Sequence, residues 1–171
     1  MHAAVIALRL LHIVLGVYWV GAILFFVTFL QPSLRDAGPE GMKVAQQIVR
    51  RGYLNILPAI AGLTLLAGLA LYWLDAQAMD GVWMSSGIGR GLTVGATAAI
   101  AGFLVGVFGM RRATVRAIAL GQSLQQLAEG PERQARAAEI DRLRRFATKS
   151  SYWVAGLLLI AAAAMAVARY L

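Results

Sequence analysis

The sequence predicts an all-α fold: a four-helix transmembrane bundle whose third and fourth spans extend beyond the membrane as a cytoplasmic helical hairpin. Three observations predict it. The chain of 171 residues is 60% hydrophobic, above the roughly half that is typical of a soluble domain. It carries four apolar runs, Leu10–Leu30, Leu54–Leu74, Leu92–Met110 and Tyr152–Val167, and about 20 apolar residues cross a bilayer as a helix. The last run is short, but its helix can extend to Leu171 and back into the polar segment before it. Finally, all but three of the 16 basic residues fall in the first and third inter-span segments. The spans are expected at about residues 3–30, 53–75, 91–110 and 150–170, the hairpin at about 111–149, all within one domain covering residues 1–171.

The first run is too long for the apolar region of a signal peptide. Its end, Phe29-Leu30-Gln31-Pro32, has no small-residue cleavage site. It is therefore read as a retained span. Loop one opens with Pro32 and a Gly38-Pro39 turn signal. Gly41 to Arg51 then mixes Met42, Val44, Ala45, Ile48 and Val49 with basic and amide residues, as an interfacial amphipathic helix does. Pro58 sits one turn into span two and is expected to kink it or to mark its start. Loop two, Asp75 to Arg90, is short and holds Asp80, Met79 and Met84. Trp73 and Trp83 are expected there as interfacial anchors. In segment three, helical composition runs from Met110 to Glu129 and breaks at Gly130-Pro131. Proline followed by Glu132 and Arg133 starts a second helix. Ile140, Leu143 and Phe146-Ala147 continue it at helical spacing.

Loop one carries Arg35, Lys43, Arg50 and Arg51. Segment three carries Arg111, Arg112, Arg116, Arg133, Arg136, Arg142, Arg144, Arg145 and Lys149. Four spans put these two segments on one side. The positive-inside rule makes that side the cytoplasm, with both termini periplasmic in a bacterial inner membrane. The net charge of +8 has this membrane explanation, and no nucleic-acid recognition module is readable. The absence of cysteine excludes disulfides, thiolate metal sites, iron–sulfur clusters and covalent c-type haem. No Ser/His/Asp set, paired carboxylates or phosphate loop points to hydrolysis.

Ionisable groups at membrane depth are costly and mark functional sites. His12 is the only histidine inside an apolar run. At about 100° per residue, Arg9, His12, Gly16, Trp19 and Ile23 form one stripe on helix one, with Gly16 leaving a notch beside His12. Two readings of His12 stand together: a bundle histidine hydrogen-bonded to a backbone carbonyl or a serine, or a ligand and proton-handling group. In span three Gly91, Gly95, Ala98, Gly102, Gly106 and Gly109 share a narrow stripe. It suits either close helix packing or a flat slot for a planar cofactor. Arg9, Arg90 and Arg169, the basic residues outside the two basic segments, fall near the outer ends of spans one, three and four. They either snorkel to the interface or form an anion site that matches haem propionates. Met165, in the same outer half, is the candidate opposite axial ligand, since histidine with methionine is a known pair. His2 and His12 are too far apart along one helix to grip one iron. Copper is the rival metal, with thioether and imidazole donors from Met1, His2, Met79 and Met84.

The stretch Leu11-His12-Ile13-Val14-Leu15-Gly16-Val17-Tyr18-Trp19-Val20-Gly21, running on to Gln31-Pro32, resembles the first helix of the CopD-like (copper-resistance D-type) membrane domains. It is also similar to the first helix of HemJ-type protoporphyrinogen oxidases. The resemblance implies His12 as a haem or metal ligand, with Trp19, Gly21 and Pro32 as framework. The chain departs from both patterns in having no second membrane histidine. The resulting expectation is a membrane protein that binds haem b for redox transfer or haem handling. Its metal ligands would be His12 and Met165, and Arg9, Gly16, Trp19, Arg90, Gly95, Gly102 and Arg169 would surround the cofactor. The alternatives are periplasmic copper binding or transport, and a cofactor-free structural or adaptor subunit. The expected partners are the lipid bilayer and either a second copy or another membrane subunit, with no nucleic acid.

Overall fold

A computed structural model describes residues 2–78, 82–124 and 126–171. Four stretches are long and apolar enough to cross a membrane: His2–Asp36, Tyr53–Gln77, Gly87–Leu124 and Pro131–Tyr170. The protein is an all-α, multi-pass membrane bundle. Large apolar side chains such as Leu10, Val14, Val17, Leu66 and Ile160 are exposed on its outside, a surface that water would not tolerate and lipid requires.

Span one begins as α1 (His2–Phe25). It does not stop where Pro32 opens the expected loop. A π-helical turn, Phe26–Leu30, leads directly into α2 (Gln31–Asp36), with the Gln31 N–H reaching back five residues to the Phe26 carbonyl. Proline lacks an N–H, and its ring crowds the carbonyl four residues earlier. The wider turn before Pro32 relieves that crowding, so the helix passes through it. Gly38, at φ +55°, then turns the chain into α3 (Gly38–Arg50). This is the expected amphipathic segment, three residues longer at its start, and it exposes Met42 and Val44. Its Gly41 lies against the Leu34 main chain with no room for a Cβ.

Span two is α4 (Tyr53–Ala78), with Pro58 inside it. Span three is α5 (Gly87–Leu104), a second π-helical stretch (Val105–Arg111) and α6 (Arg112–Leu124). The Ser86 hydroxyl caps α5 by accepting the Gly89 N–H at 3.0 Å. Span four is α7 (Pro131–Val167), one helix of 37 residues. Gly130-Pro131 is the expected break, and beyond the bundle α6 and α7 pair as the expected hairpin. Arg116 and Glu139 tie its two arms at 2.6 Å. Near its tip Arg133–Glu129 and Arg136–Glu132 are pairs within a few residues of each other. Such exposed pairs add little stability.

The four spans form a ring in chain order. Span one packs mainly on span two, and span three mainly on span four. Thinner seams, α4 on α5 and α1 on α7, close the ring. Helices in lipid gain no hydrophobic drive from meeting one another; close packing and hydrogen bonds hold them. The main packed core is Trp19, Ile23, Val27, Leu57, Ala61, Val154, Ala155 and Leu158. It sits toward the arginine-rich end, as do all the buried residues of span one. A second patch, Ala98, Ala99 and Ala161, meets Leu65. The fully buried Ser151 of α7 closes the α1 side of the ring: its hydroxyl lies 3.0 Å from Gln31 Oε1 and 2.7 Å from the Thr148 carbonyl, and its one hydrogen is shared between these two acceptors. Ser151→Ala is expected to cost about 0.6 kcal/mol, the usual worth of one interhelical hydrogen bond in a membrane. Equilibrium unfolding in mixed micelles measures it.

Candidate functional site at His12

The helix-one stripe exists as spaced. Trp19 and Ile23 are buried at 4% and 3% exposure, His12 and Gly16 are half-buried, and Arg9 at the end is exposed. The stripe faces span two. There, two residues that the periodicity of helix one could not identify form the other half of the site. The His12 Nδ1 lies 2.8 Å from the Thr64 main-chain carbonyl. A carbonyl oxygen only accepts, so Nδ1 carries the hydrogen. In the neutral ring Nε2 then holds the free lone pair, and among the described residues the ring's one hydrogen bond is the one at Nδ1. Thr64 is itself buried, and its hydroxyl donates to the Ile60 carbonyl at 2.9 Å. Gly16 opens the notch that admits Thr64: a Cβ on Gly16 would already stand in contact with Thr64 Cγ2, at 3.5 Å. Gly68 makes room for the ring. A Cβ there would lie 2.6 Å from His12 Cε1 and 2.8 Å from Nδ1.

The glycine stripe of span three also exists, and span four fills it. Gly95 packs against Met165, whose Cγ would be 2.8 Å from an added Cβ, and against the Ala161 carbonyl at 3.2 Å. Gly102 meets Leu157 and Leu158, and Gly109 meets Ser150. The stripe is a close-packing seam, with α7 in the place of the flat slot. Met165 is therefore committed to the span three–span four seam, while His12 lies in the span one–span two seam. Sequence counting put them in the same half of the membrane; the packing puts them on different helix pairs.

Arg9, Arg90 and Arg169 are all exposed. Arg90 and Arg169 flank one contact, where Gly91 packs on Ala168. Arg169 lies over the Tyr170 ring, 4.6 Å from its centre. Arg9 stands apart on the span that pairs with α4. None of the three has a carboxylate partner among the described residues. Of the expected aromatic anchors, Trp73 is exposed, but Trp83 is 5% exposed and packs edge-on against Tyr72. It is a core residue of the short connection rather than an interfacial anchor. Of the copper donors, His2 and Met84 are exposed, and Met1 and Met79 lie outside the described residues. No group of three His, Cys, Asp or Glu side chains suited to a metal occurs among the described residues.

Tested against a haem, these residues fit in part. His12 fits an axial ligand, because metal-bound histidines fix their ring by donating the other N–H to a carbonyl or carboxylate. The unpaired arginines fit an anionic edge. The glycine seam does not fit a porphyrin, and Met165 does not fit the opposite axial position.

At the other end of the bundle, Pro58 has a consequence that its sequence position alone signals. Having no N–H, it leaves the Leu54 carbonyl without its helical donor. Arg111, at the end of the π-helical stretch, supplies one: its Nε donates to that carbonyl at 2.8 Å, and Nη2 donates to Asn55 Oδ1 at 2.9 Å. Membrane helices tolerate proline where a neighbour satisfies the freed group in this way.

Comparison of the chain with protein-family models, curated proteins and solved structures returns no match.

Proposed function

We propose that the protein is an integral membrane protein of the bacterial inner membrane that binds haem b through His12, for redox transfer or haem handling. The positive-inside rule supports an orientation with both termini periplasmic and the α6–α7 hairpin cytoplasmic. One observation carries the reading: the carbonyl of Thr64 holds the Nδ1–H of His12 and leaves Nε2 as a lone-pair donor without a partner at membrane depth. The resemblance of Leu11–Gly21 to a HemJ-type first helix points the same way. Haem b supplies one-electron chemistry when bound. The chain's part is to fix the ligand ring, with Gly16 and Gly68 making room for it. Arg9, on the same helix face, offers a charge to a propionate. With Met165 packed on Gly95, His12 would hold the haem from this chain, and any further donor would come from a second copy, a partner subunit or an exogenous ligand.

A visible spectrum of the protein purified from haem-supplemented cells tests this. A Soret band is expected in the unaltered protein and is expected to vanish in His12→Ala, with the helical content unchanged. No band, or a band that survives His12→Ala, overturns the reading. A colourless protein that co-purifies with another subunit supports instead an adaptor role. One feature favours that second reading: Arg142, Arg144, Arg145 and Lys149 of α7 are exposed beside the membrane and have no carboxylate partners among the described residues.

A further inference from the structure

The arginine-rich end holds a cleft that the His12 site does not use. It has a volume of about 50 Å3 and opens at the bundle surface between span two and the π-helical stretch of span three. Its walls are apolar, with Trp19, Leu57, Phe103 and Gly106 among them, and two polar side chains line it, Tyr53 and Arg111. The Tyr53 ring is stacked on Phe26, 5.8 Å between centres, and its hydroxyl is buried with no hydrogen-bond partner. An orphaned buried hydroxyl costs about 1–3 kcal/mol unless something meets it. Arg111 spends Nε on the Leu54 carbonyl and one hydrogen of Nη2 on Asn55. Neither partner is charged, and the guanidinium keeps unused donors. Arg112 is next in sequence, seated over the Phe108 ring, and Arg50 ends α3 with Arg51 capping it, just before Tyr53. None of these four arginines has a carboxylate partner among the described residues.

We infer that this cleft binds an anionic phospholipid, its phosphate on Arg111, its first acyl methylenes against the apolar wall, and an ester or phosphate oxygen accepting from the Tyr53 hydroxyl. Basic pockets between membrane helices on the positively charged side recognise anionic headgroups. A neutral lipid would leave the arginine charges uncompensated. A free phosphate would leave the apolar wall empty.

Native mass spectrometry of the full chain in detergent measures the retention of one added lipid. Phosphatidylglycerol and phosphatidylcholine with identical acyl chains are compared, with inorganic phosphate as competitor. Phosphatidylglycerol is expected to be retained preferentially, and Arg111→Gln to reduce that preference about fivefold, the share of one arginine near the surface. Because Arg111→Gln also removes the donor to Leu54, two further variants keep Arg111. Tyr53→Phe removes only the hydroxyl. Gly106→Leu fills the cleft, since a Cβ at Gly106 meets nothing closer than Val154 Cγ2 at 3.8 Å. Both are expected to lower retention while the Arg144→Gln/Arg145→Gln variant keeps it. Equal retention of the two lipids overturns the inference, as does displacement by phosphate alone. So does full retention in Gly106→Leu, or a loss confined to Arg144→Gln/Arg145→Gln, which would assign the effect to the general basic surface.

Discussion

Gly68→Ala is expected to destabilise the bundle by about 3 kcal/mol, the upper end for forcing an extra methyl into a packed site. The added Cβ would fall 2.6 Å from His12 Cε1, so either the imidazole leaves the Thr64 carbonyl or the two helices move apart. The ring is rigid and held at Nδ1, so it cannot give way as the end of a methionine would. The diagnostic result comes from pairing the change with His12→Ala. Without the ring, the new methyl has space, and Gly68→Ala should then cost less than about 1 kcal/mol, leaving a strong coupling between the two positions. Unfolding in mixed micelles of the four proteins of this cycle measures it. An equal cost in both backgrounds would show that the crowding is not with His12. In the haem-binding reading, Gly68→Ala should also weaken the Soret band, because it disturbs the ligand without removing it.

Arg111→Met is expected to cost about 2 kcal/mol, since it removes the donor to a carbonyl that the helix itself cannot satisfy. The reason lies in another residue, Pro58. Replacing it with alanine restores a main-chain N–H four residues after Leu54, and the helix can then close its own hydrogen bond. In the Pro58→Ala background the cost of Arg111→Met should fall to the smaller contribution of the Asn55 contact. If Arg111→Met costs the same with or without Pro58, the arginine is not acting as the surrogate donor, and its contribution lies elsewhere.

Depth was legible in the sequence, and direction around the bundle was not. Counting residues from the ends of the apolar runs put His12, Met165 and Arg9, Arg90 and Arg169 in one half of the membrane, because a helix rises by a constant step. The same regularity fixed the stripe from Arg9 to Ile23. Which helix that stripe meets depends on how small residues on one helix match those on another. Span two offers Gly62, Gly68, Ala61 and Ala67, and no local rule singles out Gly68. The same limit holds for Met165: sequence could place it in the half of its span that His12 shares, but not against Gly95 of span three. Pro32 shows a different limit. Proline signals a break in an isolated helix, but in span one a π-helical turn absorbs it, and the chain continues to Asp36. Pro58 carried a usable signal, since the carbonyl it orphans can be named from sequence alone. Its donor, from 57 residues away, could not.

The chain-order ring has a consequence for how the protein is made. The two heavily packed seams join neighbours in sequence, spans one and two, then spans three and four. Each pair can therefore assemble as a helical hairpin soon after it leaves the insertion machinery, without waiting for the rest of the chain. Contacts between sequence neighbours form quickly because little chain has to be ordered to make them. Only the last seam, where Ser151 meets Gln31, needs the whole chain. Biogenesis thus reduces to two early pairings and a later docking of the two pairs along the α4–α5 and α1–α7 seams, the last of which closes at the arginine-rich end.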